Sequence, residues 1–148
     1  MSSSFLKKKI NNKMQELWKK EWTKNKKGAI TKKFFPTPAD ASLLKGTYIS
    51  HQITQLLTGH CQLSHHLFKI KKISSPVCEC GLEDESVEHF VFNCNRFSTE
   101  RQCLKEACLK LVTVYPPPLS TIATKTAIWK ELLHLLKATR RLDHIRTE

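Results

Sequence analysis

Between Pro76 and Cys94 the sequence reads PVCECGLEDESVEHFVFNC, which sets three thiols and one imidazole, Cys78, Cys80, His89 and Cys94, at close spacing. Sulfur and imidazole nitrogen in the pattern C-x-C-x8-H-x4-C suit a tetrahedral zinc ion, and a closed Cys3His set leaves no open position for a substrate. A chain that must bring these four groups to one point has few folds open to it. Gly81 follows the second cysteine and supplies the positive φ that a tight ligand turn needs. Beyond it Val87, Phe90 and Val91 recur at helical spacing, and Asp84, Glu85 and Ser86 stand where a first helical turn favours acids and caps. The pattern predicts a short helix that aims His89 inward and lets Cys94 close the site just past its end. The alternative for the same residues is a pair of ordinary loop thiols and an interior histidine, since free cysteine is often a small buried hydrophobe. Cys61, Cys103 and Cys108 are read that way. A disulfide framework is not expected: no signal peptide and no apolar run of membrane length is read, so a reducing, intracellular setting, nucleus or cytoplasm, is the expectation.

Charge is distributed unevenly around this stretch. The 148 residues carry a formal charge of +12, and residues 1–33 alone hold eleven lysines against two glutamates, whereas residues 76–100 hold one arginine against six acids. Acids and thiolates beside the metal stretch would repel a phosphate backbone. Strong basicity on the flanks points to a polyanion, and a basic patch is the electrostatic footprint of nucleic-acid binders. The other reading of such lysines is a solvated face.

Taken in order, residues 1–27 read as a basic amphipathic helix, with Leu6, Ile10, Met14, Leu17 or Trp18, and Trp22 at three- to four-residue intervals, serines before it and Gly28 as its stop. Trp18 and Trp22, one turn apart, are read as core in preference to platforms for bases. Residues 28–46 form a connector, broken by Pro36 and Pro38 and pinned by Phe34 and Phe35. A second amphipathic helix ends at Thr58 before Gly59, and a third spans residues 62–72 with Leu63, Leu67 and Ile70 on one side. A helix over residues 98–114 follows, with Ser98 as cap and Leu104, Cys108, Leu111 and Val112 inward; Pro116, Pro117 and Pro118 make a stiff spacer. The last helix, residues 120–141, carries Trp129, Leu132, Leu133 and Leu136, and the Arg140-Arg141 pair suits its C-terminus by dipole alone. No segment alternates with period two long enough to claim a sheet. The expectation is a mainly α, small helical domain organised around a zinc-knuckle-like Cys3His site, divided into residues 1–33, 34–114 (knuckle 76–94) and 115–148. At this length a chain buries roughly two-thirds of its unfolded surface.

The candidate phosphate contacts are Lys7, Lys8, Lys9, Lys13, Lys19, Lys20, Lys26 and Lys27, with His65, Lys69, Lys71 and Lys72 as a second face. Two-metal polymerase or nuclease chemistry needs several converging carboxylates. Glu16, Glu21, Asp40, Glu106, Glu131, Asp143 and Glu148 are scattered, so no enzyme activity is expected; His60-Cys61 is a weak candidate, because adjacent side chains usually point apart. Membrane binding is not expected.

In combination, Trp22…Lys27-Gly28…Phe34-Phe35-Pro36, then Leu56-Leu57-Thr58-Gly59-His60, then Ser74-Ser75-Pro76-Val77-Cys78, then Glu88-His89…Cys94…Arg96-Phe97…Glu100-Arg101 resembles the C-terminal tail of the reverse-transcriptase polyprotein of non-LTR (LINE) retrotransposons, nearest to the Jockey-like elements. The resemblance covers roughly residues 10–110. It implies that Cys78, Cys80, His89 and Cys94 match a zinc-knuckle-like module beyond the polymerase and ribonuclease H regions, holding template RNA or target DNA during target-primed reverse transcription. Here one residue separates Cys78 from Cys80, where many relatives have two. The expected function is therefore a non-catalytic, zinc-stabilised nucleic-acid-binding module; the alternative is a retroelement-derived module for protein contact or self-association through the C-terminal helix.

Overall fold

The computed structural model describes residues 2–143; Met1 and residues 144–148 lie outside the described residues. It is mainly helical and, among the described residues, contains no strand, only one antiparallel bridge between Val77 and Asp84. The α-helices are α1 (Ser3–Lys24), α2 (Ala29–Phe34), α3 (His51–Thr58), α4 (Ser64–Lys69), α5 (Gln102–Val112), α6 (Leu119–Thr124) and α7 (Thr126–Thr139). A 3-10 turn, Asp40–Leu44, separates α2 from α3, and a π-turn, His89–Asn93, followed by a 3-10 turn, Asn95–Phe97, separates α4 from α5.

One core collects Phe34 from α2, Ile53 and Leu56 from α3, Val87, Phe90 and Val91 from the metal stretch, Leu104 and Cys108 from α5, Ile122 from α6, and Ile128, Leu132 and Leu135 from α7. Helix α7 packs on α5 and α6, and α2 packs on α3 and α6. Two features fix the α2–α3 approach. Thr31 Oγ1 donates to the Leu57 carbonyl at 3.0 Å, and Gly59 ends α3 at φ 72° with its face against Ile30. A Cβ on Gly59 would lie 2.8 Å from Ile30 Cγ1, so both the backbone angle and the space require glycine.

Helix α1 stands apart from this core. Ser2 Oγ accepts the Phe5 amide as its cap, yet none of its residues is buried, and Leu6, Ile10, Met14, Leu17 and Trp18 are each about half exposed. The expectation that Trp18 belongs to the core is thus overturned. Only Trp22 reaches the core, half-buried, with its indole Nε1 donating to the Phe35 carbonyl at 3.2 Å. The physical reason is length: a 22-residue helix extends roughly 33 Å, longer than the face a small core offers. It ends at Lys24 on an extended Asn25, and Gly28, expected as its stop, instead enters α2 at φ 72°. The connector read over residues 28–46 therefore contains a helix, whose last residue Phe34 is fully buried.

Other boundaries also moved. Helix α4 is shorter than expected, and Ile70 is exposed just past its end. Helix α5 begins at Gln102, and Ser98, expected as its cap, instead ends the preceding 3-10 turn with helical dihedrals; Leu111 is half exposed on α5. The last helix breaks at an extended Lys125 into α6 and α7. Trp129, Leu132 and Leu136 are buried and Leu133 partly so, which commits the face considered for a partner to the chain's own core.

Arg141 does more than complement a helix dipole. Its Nε and Nη2 lie 2.8 and 2.6 Å from the two carboxylate oxygens of the buried Glu85, and Nη2 also donates to the Gln62 carbonyl at 2.9 Å. The same carboxylate accepts Ser64 N at 2.8 Å and Ser64 Oγ at 2.9 Å, so Glu85, expected as a first-turn acid of its own helix, instead anchors the start of α4. Burial would raise the Glu85 carboxyl, but the hydrogen bonds from Arg141 and Ser64 together hold it below its usual value. Removing the cation by Arg141→Ala is expected to cost about 3 kcal/mol near neutral pH, read as a lower urea midpoint. The contribution of Glu85 is complete above its ordinary pKa of about 4.3 and is lost as pH falls through the depressed folded value. The gap between parent and Arg141→Ala should close in acid; a gap unchanged down to about pH 3 would sink the pairing.

Candidate metal centre

The four donors expected from spacing converge. One ligand atom from each of Cys78, Cys80, His89 and Cys94 lies within 4.8 Å of every other, and Cys78, His89 and Cys94 are buried while Cys80 is half-buried. Cys78 Sγ and Cys94 Sγ are 3.7 Å apart, and Cys80 Sγ is 3.3 Å from His89 Nε2. A tetrahedral ion with metal–sulfur bonds of about 2.3 Å gives sulfur–sulfur edges of about 3.8 Å and slightly shorter sulfur–nitrogen edges. The donor set therefore fits a metal ion in a closed site, with three sulfurs and one imidazole filling the tetrahedron.

Two local structures deliver these donors. The first is a knuckle closed by Cys78 N to the Glu83 carbonyl at 2.9 Å, Gly81 N to the Cys78 carbonyl at 2.8 Å and Glu85 N to the Pro76 carbonyl at 2.9 Å. Gly81 sits at φ 77°, the left-handed turn expected of it. The single residue between Cys78 and Cys80 is thus accommodated by a turn that glycine permits. The second is the helical segment over residues 87–93. Ser86 Oγ accepts the His89 amide at 3.1 Å as its cap, as the Ser86 position predicts. Its last turn is π rather than α: Cys94 N donates to the His89 carbonyl at 2.7 Å, across five residues. That wider turn binds the first ligand of the segment to the last through the backbone.

Three further residues shape the site, and sequence reasoning did not assign them these roles. His89 Nδ1 is 2.6 Å from Glu83 Oε1, so the proton on Nδ1 donates to the carboxylate and the Nε2 lone pair faces the sulfurs. The His89 hydrogen bond holds the Glu83 carboxyl below its usual range. The signal was present as an acid six residues before a ligand histidine, but Glu83 reads equally as one more surface charge. Arg101, buried, donates Nε to the Val91 carbonyl at 2.8 Å, Nη1 to the Cys94 carbonyl at 2.7 Å and Nη2 to the Phe90 carbonyl at 2.9 Å. It ties the carbonyls left open where the π-turn ends and brings positive charge to the thiol side. Tyr115 adds a hydrogen bond to the Phe92 carbonyl at 2.8 Å.

The thiols differ in acidity. Burial pushes Cys78 up to about 11, whereas the Leu82 backbone amide, with Cys78 and His89, pulls the more open Cys80 down to about 7. Cys80 is thus the donor readiest to meet an incoming ion as thiolate. Cys61 and Cys108 are buried and raised by burial, and Cys103 is exposed on α5; none joins the cluster.

The candidate phosphate contacts fall in two places. Lys7, Lys8, Lys9, Lys13, Lys19 and Lys20 are exposed along α1, and Lys26 and Lys27 are exposed in the elbow before α2. His65, Lys69, Lys71 and Lys72 are exposed on α4 and the turn after it, where His65 Nδ1 lies 3.5 Å from Asp84 of the knuckle. His60 is exposed and edge-on to His66 at 5.1 Å, while Cys61 points inward, so the two do not form a pair. No helix among the described residues is long and apolar enough to cross a membrane.

The chain is similar to curated Pol polyproteins of type-1 retrotransposable elements. It is 27% identical over 94 residues, 64% of this chain, to the "Retrovirus-related Pol polyprotein from type-1 retrotransposable element R1" of Bradysia coprophila, and spans 9% of that protein. It is 28% identical over 92 residues, 62% of this chain, to the R1 2 polyprotein of Nasonia vitripennis, and 27% identical over 88 residues to the R1 4 polyprotein of the same organism, spanning 22% of each. The chain therefore covers about a tenth to a fifth of these relatives. No protein-family model matches it, and no solved structure matches it. The similarity supports a region of a non-LTR retrotransposon polyprotein, as the resemblance implied.

If the cluster holds a metal ion, replacing Cys94 by Ser is expected to abolish its retention, measured by elemental analysis of the purified chain, and to loosen the 76–94 region in hydrogen exchange. Cys103→Ser, outside the cluster, should retain it. Metal content unchanged in Cys94→Ser would overturn the ligand set.

Proposed function

We propose that this chain, similar to a segment of non-LTR retrotransposon Pol polyproteins, is a zinc-stapled, non-catalytic module that holds RNA or target DNA during target-primed reverse transcription. The observation that carries the reading is the freedom of α1: a helix with no buried residue and seven exposed lysines, Lys7, Lys8, Lys9, Lys13, Lys19, Lys20 and Lys24, set apart from the core that holds the Cys3His cluster. A phosphate backbone meets these lysines at the cost of one exposed ion pair, Lys13 with Glu16 at 3.8 Å, and counterion release drives the association. Lys69, Lys71 and Lys72 supply the second face.

Zinc is the ion favoured by three thiolates and one imidazole in a closed tetrahedron. When bound it supplies a structural tie, on the order of 10 kcal/mol for a module of this kind. The chain's residues do the rest: Glu83 orients His89, Gly81 shapes the knuckle, and Arg101 holds the carbonyls beside Cys94. With all four positions taken by protein donors, the centre is read as scaffold rather than catalyst. Glu83, Glu85 and Glu88 are engaged by His89, Arg141 and Lys33, which leaves the acids of the stretch in structural roles. Function inside a cell, in the nucleus or cytoplasm, accords with reduced thiols as ligands.

The alternative of a protein-contact module built on the C-terminal helix loses its surface, since Trp129, Leu132 and Leu136 are buried in the core.

Affinity of the zinc-loaded chain for single-stranded RNA and duplex DNA is expected to fall steeply with salt. Replacing Lys7, Lys8, Lys9, Lys19 and Lys20 by Ala should flatten the slope of log affinity against log salt by up to about four. An unchanged slope, or no binding at low salt, would show the lysines to be a solvated face.

A further inference from the structure

The elbow between α1 and α2 carries an open groove of about 330 Å³, lined among others by Trp18, Glu21, Trp22, Lys27, Gly28 and Lys32. That volume is in the range that accepts a small organic group. Its two indoles are held differently. Trp22 is half-buried and fixed by its hydrogen bond to the Phe35 carbonyl, so it forms a rigid wall. Trp18, one turn earlier, is 53% exposed. An indole face left in water at the edge of a groove is an unused stacking surface.

The charges around it are ordered. Lys27 and Lys32 stand in the elbow, where Asn25 braces them: Asn25 Oδ1 accepts the Lys27 amide at 2.9 Å, and the Asn25 carbonyl accepts Lys32 Nζ. Glu21 also lines the groove. A carboxylate there repels a phosphate but accepts hydrogen bonds from the amino and imino groups of a base edge. The groove thus favours a planar, neutral, hydrogen-bond-donating group, and the lysines favour an anion beside it. An unpaired nucleotide has both parts in that order. A second copy of α1 does not, because its own lysines would face these.

We propose that the α1–α2 elbow captures an unpaired base of a single strand, stacked on Trp18 beside Trp22, with the adjoining phosphates at Lys27 and Lys32. This rests on the nucleic-acid reading above and adds to it a preference for single over double strands, since a paired base cannot leave its stack without losing its partner. The zinc-organised core holds the second wall in place through Trp22 and Phe35, and the α1 lysines supply affinity that is indifferent to strand number.

The test uses the full zinc-loaded chain with a short single-stranded RNA and a blunt duplex of the same sequence at one salt concentration. Trp18→Ala is expected to weaken the single strand roughly ten-fold and leave the duplex unchanged; Trp18→Phe should keep most of the affinity. Indole fluorescence should be quenched by the single strand, and Trp18→Phe should remove that quenching while binding persists. Trp18 is half exposed, so neither change endangers the core. If both ligands bind and Trp18→Ala weakens neither or both alike, the elbow is not a base site, although the nucleic-acid reading survives. If neither ligand binds at low salt, both fall. Loss in Trp18→Ala of binding to anionic vesicles, or of concentration-dependent mass, with single-strand affinity intact, would assign the groove to a lipid surface or a second copy and overturn the proposal.

Discussion

Three sulfurs and an imidazole brought within 4.8 Å of one another in a buried site are the constraint on which the rest of this structure depends. Thiolates at such distances repel, and a cation at their centre reverses the sign of the interaction. The residues between the ligands are also core residues: Val87, Phe90, Val91 and Phe92 lie between Cys80 and Cys94 and are all buried. Coordination and hydrophobic burial are therefore two faces of one short segment. What positions the sulfurs also positions Phe90 against Phe97, edge-on at 5.6 Å, and Phe92 against Tyr115 at 5.8 Å.

Around this centre, two arginines far apart in sequence perform related work. Arg101 fans three donors onto the carbonyls of Phe90, Val91 and Cys94, and Arg141 clasps Glu85 and the Gln62 carbonyl. Each uses the planar fork of guanidinium, which lysine lacks. The chain has many lysines and few arginines, and among the described residues these two arginines are the ones drawn into the interior, while the lysines of α1 stay in water. Interior cations here fix backbone geometry, whereas the lysines of α1 lie in solvent, where Lys13 makes an exposed pair with Glu16.

Helix α1 shows where pattern and packing part company. Its apolar repeat is regular enough to read as a core face, but periodicity states only which residues share a side, not whether another element arrives to cover it. The same limit explains the C-terminal helix in reverse: Trp129, Leu132 and Leu136 read as a face open to core or partner, and α5 and α6 decide the matter by packing on it. Gly28 and Gly59 make the point at the level of single residues. Both have φ 72°, yet Gly59 ends a helix and Gly28 begins one, because glycine permits a turn without specifying which element it serves.

By itself the sequence determined the helical class, the four donors, the glycine turn beside them, the Ser86 cap and the separation of lysines from acids. These follow from residue chemistry and short spacing, which act within one or two turns of chain. Only the tertiary structure decided that Glu83 orients His89, that Glu85 turns from its own helix to Ser64 and Arg141, that Arg101 closes the π-turn, and that Trp18 is left exposed while Trp129 is buried. Each of those outcomes depends on which distant group arrives at a given acid, carbonyl or ring. A carboxylate or an indole carries the same local signature whether its partner is water, an arginine 56 residues away, or an unfilled groove.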